Sequence, residues 1–308
     1  MPKPVICIGA AFVDELFHMK EEMIMGSTVP ASVTKTVGGV SRNIAHQLAL
    51  LGVDVQLISV FGNDSDGDWL KQSCTKVGVS LDASITAEGL SGKYTAILNR
   101  DGSLFTAFLT NAATILITPE HLEKHRSLLQ TASYLLADAN VSIATGEWLL
   151  AFSNETGIPL ILEPVSVPPI RKFKDVSLKG LHLITPNEDE LPALCSEKSF
   201  ITQLQVEELL NKGVENIWLH NGKHGSAMYS KERSITLQAP EIEIVDCTGA
   251  GDGSLTGFIL GKTLGKDDLD CMRLAHTLSA EILQVNGAIA THLNRQKLLS
   301  LVSKYYPA

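Results

Sequence analysis

The sequence predicts an α/β protein: a mainly parallel β-sheet covered by helices on both faces. Three observations carry that prediction. Short apolar runs of buried-strand composition recur at residues 5–8, 55–61, 134–137, 159–162, 181–184 and 216–219. Helical patterns separate them, at 41–51, 66–77, 119–129, 145–153, 201–212 and 269–284. The composition is that of a packed chain, with 308 residues, 44% hydrophobic and 19% charged, enough for one large α/β unit. Strand and helix alternating in this way favour parallel pairing, because the crossover helices cover the sheet.

The elements follow in order. Val5 to Ile8 is a buried strand, and Gly9, Ala10 and Ala11 let the backbone turn closely behind it. Residues 15–36 show no clear period. Gly38-Gly39 then precede a helix whose Ile44, Leu48 and Leu51 share one face, with Gly52 as its stop. The 66–77 helix stops at Gly78. Runs 93–98 and 104–110 flank Asn99-Arg100-Asp101-Gly102, a strong hairpin signal. Thr118-Pro119 starts a helix, the hydroxyl capping it and the proline fitting its first turn. The hairpin and the aperiodic stretch break the β/α rhythm. They predict a small strand-rich lid, at about residues 12–36 and 91–112, on a body formed by the rest of a single 1–308 unit.

Charge narrows the function. With 25 basic and 34 acidic residues the net charge is −9, so no overall field draws the chain to nucleic acid or to anionic lipid. No uninterrupted apolar run of about 18 residues suggests a membrane span. The first residues lack the pattern of a secretory signal, and five cysteines without a C-x-x-C read as free thiols. A cytoplasmic location is expected. A phosphorylated ligand would have to be held by local dipoles and a metal ion.

Such a dipole is written at residues 245–254. Gly249-Ala250-Gly251 lets main-chain N–H groups converge, and the apolar positions Leu255, Phe258, Ile259 and Leu260 open a helix. Unpaired N–H groups and the helix dipole favour an anion there. Asp252 lies in the first turn, where its carboxylate can orient a hydroxyl and accept its proton. A carboxylate of pKa about 3.9 is a weak base, but a loose phosphoryl-transfer transition state lets the proton leave late. A bare G-x-G would be only a tight turn; Asp246-Cys247-Thr248-Gly249-Ala250-Gly251-Asp252 is far more specific.

That string resembles the C-terminal signature of the ribokinase-like (PfkB) carbohydrate kinases. Gly38-Gly39-Val40-Ser41-Arg42-Asn43 is similar to the N-terminal Gly-Gly motif of the same family, and the likeness spans nearly the whole chain. The resemblance implies a Rossmann-type three-layer sandwich with a β-sheet lid, ATP as donor and Mg²⁺ as counter-ion. It makes Asp252 the catalytic base and Gly249, Ala250 and Gly251 the anion hole. Gly39, Asn43 and Asp14 would contact the acceptor's hydroxyls. Taken alone, Asp14 also reads as a solvated loop acid, and Asn43 has a second reading as a helix-entry residue. Asn187 and Glu190 match the family's Asn-x-x-Glu motif, which organises Mg²⁺ largely through water; their other reading is an acidic helix start.

Further likenesses are partial. Gly222 and Gly225 keep the spacing of a nucleotide loop, although relatives usually carry a small hydroxyl residue where His220 stands. His276 falls where relatives often place a residue against adenine; a lone helical histidine more often packs. Asp246 and Thr248 match a monovalent-cation (K⁺) site. Several relatives dimerise through the lid, and its exposed strand edges favour a homodimer here.

For the acceptor, Gly38 to Ala45, Ala137 to Ser142 and Glu163-Pro164-Val165-Ser166 look most like pseudouridine kinases. Asp138 and Asn140 end a strand where polar groups face a substrate, or else they cap the next turn. Pseudouridine kinases carry an Asn/Asp-rich stretch on the second lid strand, whereas Leu109-Thr110-Asn111-Ala112 offers only Asn111. The expected reaction is therefore ATP-dependent phosphorylation of a sugar or nucleoside, with pseudouridine going to pseudouridine 5′-phosphate ahead of ribose, fructose or adenosine. A non-catalytic sensor on the same fold is the reading from another class. A dehydrogenase is disfavoured because no early strand carries G-x-G-x-x-G, and no P-loop or zinc pattern occurs.

Overall fold

The computed structural model of the chain describes residues 3–110, 113–196 and 201–307. The first half runs β1 (Val5–Ile8), β2 (Phe12–Met19), β3 (Ala31–Gly38), α1 (Val40–Leu50), β4 (Val55–Ile58) and β5 (Val60–Gly62). It continues with α2 (Ser65–Thr75), β6 (Ile85–Ala87), β7 (Lys93–Leu98), β8 (Leu104–Thr110), α3 (Pro119–Lys124) and α4 (Arg126–Leu129). The second half runs β9 (Tyr134–Asp138), α5 (Ile143–Thr156), β10 (Leu160–Glu163), α6 (Val167–Arg171), β11 (Leu183–Ile184) and α7 (Thr202–Asn211). It closes with β12 (Asn216–His220), β13 (Ser226–Tyr229), β14 (Ser234–Leu237), α8 (Ala250–Thr263), α9 (Asp268–Leu283) and α10 (Arg295–Tyr305).

The main sheet has the order β14-β13-β12-β11-β10-β9-β1-β4. From β12 to β4 every pairing is parallel, and β13 and β14 add an antiparallel edge. Both faces are covered, as a strand such as Val-Ile-Cys-Ile requires. Successive side chains point to opposite faces. Ile6 and Ile8 accordingly enter one apolar core with Leu135 and Ala137, while Val5 and Cys7 enter the other with Leu136, Phe258 and Trp218. This is the ribokinase-like three-layer arrangement. Among the described residues no helix is long and apolar enough to cross a membrane.

A second sheet, β3-β2-β7-β8, stands apart from the first. The stretch that shows no period in the sequence forms β2 and β3, paired antiparallel with Asp14 opposite Thr36 and Phe17 opposite Val33. Its silence has a physical cause. Residues 31–36 of β3 are all exposed, so no face demands alternation. Val33, Leu104, Phe105, Phe108 and Leu109 leave apolar surface on this sheet.

Three expectations change. The 55–61 run is two strands, because Ser59 breaks it, its hydroxyl donating to Gly9 O at 2.6 Å, and β5 leaves to pair with β6. The 119–129 helix divides at His125 into α3 and α4. The antiparallel β13–β14 pair and the terminal α10 have no counterpart in the sequence reading.

Candidate active site

Five strands of the main sheet, β1 and β9 to β12, deliver Gly9, Asp138, Glu163, Thr185 and His220 at or just past their carboxyl ends. Ligands of open α/β sheets gather at that edge. Helix α8 starts there too. Gly249 caps it with φ +78°, a conformation that glycine adopts without strain, and a Cβ at this position would fall 2.5 Å from Ala288 Cα. The first intrahelical bond runs from Gly253 N to Gly249 O at 2.8 Å. The N–H groups of Ala250, Gly251 and Asp252 have no acceptor among the described residues. Gly251 is exposed, and a Cβ there would meet nothing within 4 Å. The positive end of α8 therefore faces open space with three free donors.

Asp252 is half-buried at the base of this mouth, and Asn43 donates Nδ2 to its Oδ2 at 2.9 Å. Asn43 is held in turn by Arg42, whose guanidinium donates to Asn43 Oδ1 at 3.1 Å. Arg42 is almost wholly buried; it also meets His46 Nδ1 at 2.9 Å and Ser73 Oγ at 3.2 Å. Burial pushes Asp252 up to about 7, opposed by the Asn43 hydrogen bond and assisted by the charges of Asp138 and Asp14. Asp14, on β2 of the small sheet, is likewise raised by burial to about 6, against the pull of Arg42. Gly39 leads from β3 into α1 at φ +97°, its Cα so near Ala10 that a Cβ would lie 2.5 Å from Ala10 O. The structure thus brings Asp252, Asn43, Asp14 and Gly39 to one place.

A second acidic site, at Glu190 and Glu163, lies nearby. Asn187 Oδ1 accepts from the N–H groups of Asp189 and Glu190, both at 2.9 Å, while Glu190 Oε2 accepts from Asn187 N at 2.9 Å. This is capping-box geometry, and it holds the buried Glu190 carboxyl in a fixed place. Burial raises the Glu190 pKa. Glu163, at the end of β10, is raised further by burial and by the charges of Asp252, Glu190 and Asp138. Its Oε2 accepts from Val165 N at 2.7 Å. Val165 has φ +69°, the one positive φ among the described non-glycine residues, so the backbone is strained beside this carboxyl.

Beyond the α8 mouth opens a cavity of about 590 Å³. Gly222 and Gly225 form one wall, Ile242, Ile244 and Leu283 an apolar one, and Ala250 and Gly251 the rim. His276 lines it, but both its ring nitrogens are engaged within the protein: Nε2 with Ser226 Oγ and Nδ1 with Tyr306 Oη, each at 2.8 Å. It offers the cavity a ring rather than a free donor.

Asp138 lies inside the fold at the end of β9. Asp138 is 0% exposed, and its carboxylate accepts main-chain N–H bonds from Ala10 (2.8 Å), Ser41 (3.1 Å) and Asn140 (3.0 Å). It stands behind the site, tying the turn after β1 and the start of α1 to the end of β9, the arrangement that the turn-capping alternative describes. Asn140 is half-buried in that turn, its carbonyl accepting from Thr114 Oγ1. Asn111 lies outside the described residues. Asp246 spends its oxygens on Thr248 N (2.8 Å) and Gly287 N (2.9 Å), and Thr248 is exposed.

Sequence reasoning passes over Arg42 and Glu163. Arg42 stands inside a quoted motif, but only the fold shows that a charge so placed turns inward. Glu163 carries a readable signal, an acidic residue followed by proline at a strand's carboxyl end.

Known proteins resemble this chain in defined ways. A family model, pfkB family carbohydrate kinase, matches residues 3–295. YeiI, an uncharacterised sugar kinase of Escherichia coli K12, is 31% identical over 89% of this chain and 76% of its own length. The pseudouridine kinase of the same organism is 27% identical over 97% of this chain and 96% of its own. The structure of Arabidopsis thaliana ribokinase complexed with ribose and ATP aligns with a TM-score of 0.84 at 22% identity, covering 98% of this chain and 99% of that one.

Proposed function

Because the chain belongs to the pfkB family of carbohydrate kinases, which are phosphotransferases with a hydroxyl acceptor, we propose that it transfers the γ-phosphoryl group of ATP to the 5′-hydroxyl of pseudouridine. One observation carries the reading: Asp252 stands in the first turn of a helix whose leading N–H groups are free, with Asn43 fixing its carboxylate. The free amides of Ala250, Gly251 and Asp252 stabilise the negative charge of the transferring group, as fixed dipoles that need no reorganisation. Asp252 Oδ1 receives the acceptor's proton while Oδ2 stays tied to Asn43. A base raised to about 7 is better matched to neutral pH than an ordinary aspartate. Asp14 and Gly39, on the side of the small sheet, position the sugar hydroxyls, and closure of that sheet as a lid excludes water.

The donor set fits a divalent cation. Glu163 is disfavoured as an anion by its burial and by the charges of Asp252, Glu190 and Asp138, a cost that a nearby cation relieves. Among the described residues no three His, Cys, Asp or Glu side chains converge to hold a metal directly. Glu190 and Glu163 would therefore hold Mg²⁺ through water, and the ion would supply charge neutralisation for the phosphates. The 590 Å³ cavity, between the Gly222–Gly225 loop and the apolar wall, takes the nucleotide. A monovalent cation would sit beside Asp246, and exchanging K⁺ for tetramethylammonium in the assay tests for it. The exposed apolar side chains of β8 support a homodimer through the small sheet, which light scattering tests.

Pseudouridine is favoured by the 27% identical relative and by Glu163-Pro164-Val165-Ser166 beside the site. A second acceptor, ribose or another simple sugar, is favoured by the run 109–112, which has one amide where a base-reading strand would carry several. A coupled ADP-release screen with pseudouridine, uridine, adenosine, ribose and fructose decides. Turnover with pseudouridine at least tenfold above the others supports the reading, and turnover with ribose alone replaces it.

A further inference from the structure

Ser254 is 4% exposed and lines the nucleotide cavity, and its hydroxyl has no hydrogen-bond partner among the described residues. Buried hydroxyls are seldom left so, because desolvation then goes uncompensated. A serine within a helix commonly bonds the carbonyl four residues back. Thr256, on the same helix, does this, with Oγ1 2.7 Å from Asp252 O. The equivalent acceptor for Ser254 is Ala250 O, which already takes the hydroxyl of Ser279 at 3.0 Å. Ala250 and Ser254 are four residues apart and share a helix face, so the orphan hydroxyl sits one turn below the free amides of the α8 mouth.

The opposite wall matches it. The Trp218 ring packs on Phe258 at 4.8 Å between centroids. One step nearer the mouth on each element, His220 is two residues along β12 and Ser254 one turn back along α8, both on the same faces as that pair. Both line the cavity. The His220 ring leans on Trp218 at 4.4 Å, and burial holds it down at about 3, so it is a neutral imidazole. No hydrogen bond from the described residues reaches its ring nitrogens. A neutral ring and a neutral hydroxyl, neither hydrogen-bonded by the described residues, thus line the same cavity.

We propose that Ser254 is a nucleotide-contact residue, its hydroxyl joining the imidazole of His220 as a polar pair that hydrogen-bonds the ATP entering below the α8 mouth. The proposal rests on the ATP reading above and adds to it the side chain that fixes the nucleotide. The probe is adenylyl imidodiphosphate with Mg²⁺, titrated calorimetrically into wild type and Ser254→Ala, with the melting temperature of each measured without nucleotide. Loss of one neutral hydrogen bond weakens binding about three- to tenfold. The expected result is that loss, with a ligand-free melting temperature equal to or above wild type and an acceptor KM within twofold. Equal affinity in the two proteins overturns the proposal, as does a variant that melts lower while binding as wild type, since the hydroxyl would then serve the fold. A wild-type protein that binds no adenine nucleotide overturns the ATP reading itself, and so separates that failure from this one.

Discussion

Asn43 and Asp252, 209 residues apart in the chain, meet through a hydrogen bond of 2.9 Å from Asn43 Nδ2 to Asp252 Oδ2. The first enters α1 and the second enters α8, so the bond ties the two helix starts across the floor of the site. Because Arg42 holds Asn43 Oδ1, the amide cannot flip. The donor end is therefore always turned to the carboxylate, and Oδ1 of Asp252 takes no hydrogen bond from the described residues.

Asn43→Ala removes a bond that favours the charged form of Asp252. The pKa of Asp252, about 7 with the bond in place, then rises. The acid limb of the kcat/KM profile should move to higher pH, and activity at pH 7 should fall roughly 10²-fold, in the range seen for loss of a positioned base. A profile measured from pH 5 to 9 checks both. Arg42→Met should move the limb the same way, since Arg42 also lowers this pKa.

Asp252 is also a source of instability. Its folded pKa is raised above that of the unfolded chain, so the native state binds the extra proton. The associated stability is full below about pH 4 and is lost as pH rises through about 7. Asp252→Asn should abolish turnover and raise the melting temperature, with a gain that grows from pH 5 to pH 8. At pH 8 the gain should be on the order of 1–3 kcal/mol. Paired thermal melts at the two pH values test it, and a gain independent of pH would show that the charge costs nothing.

The α8 mouth is legible in the sequence because its causes are local. Glycines that open a turn, a helix period behind them and an acid in the first turn all lie between Gly249 and Leu260. The Asn187/Glu190 box is local for the same reason. Asp138 is only half legible: the sequence offers capping of its own turn, but its partners Ala10, after β1, and Ser41, in α1, are brought to it by packing. Arg42 is hidden likewise, because its inward turn depends on Ser73 of α2 as well as His46 of its own helix. The small sheet leaves only its hairpin in the pattern, because β3 has no buried face to impose a period.

Glu163 should behave as a cation-holding group. Burial, and after it the charges of Asp252, Glu190 and Asp138, disfavour its ionised form, and a neutral amide of the same shape avoids that cost. Glu163→Gln is expected to raise the melting temperature without Mg²⁺. The half-saturating Mg²⁺ concentration in the kinase assay should rise about tenfold, as for loss of an outer-shell ligand. A Mg²⁺ titration of the initial rate separates this from general damage, because excess Mg²⁺ should restore most of the rate.

Gly249 and Gly251 look equivalent in the sequence and differ in the fold. At Gly249 the backbone is left-handed and a methyl would strike Ala288, so Gly249→Ala forces both a strained φ and a clash. The result should be a loss of about 1–3 kcal/mol in stability together with displaced amides and a rate reduced 10²–10³-fold. At Gly251 the φ is ordinary and a methyl meets no protein atom. Gly251→Ala should therefore melt as wild type, or slightly higher, because alanine favours the helix. Its methyl projects into the space at the α8 mouth, so KM for ATP should rise and kcat fall even though the fold is intact. Melting curves and steady-state kinetics on the two variants check the contrast. Equal melting temperatures for both would mean that the left-handed turn at Gly249 is not what sets the amides in place, and a Gly251→Ala enzyme with wild-type kinetics would mean that the phosphates do not approach this helix start.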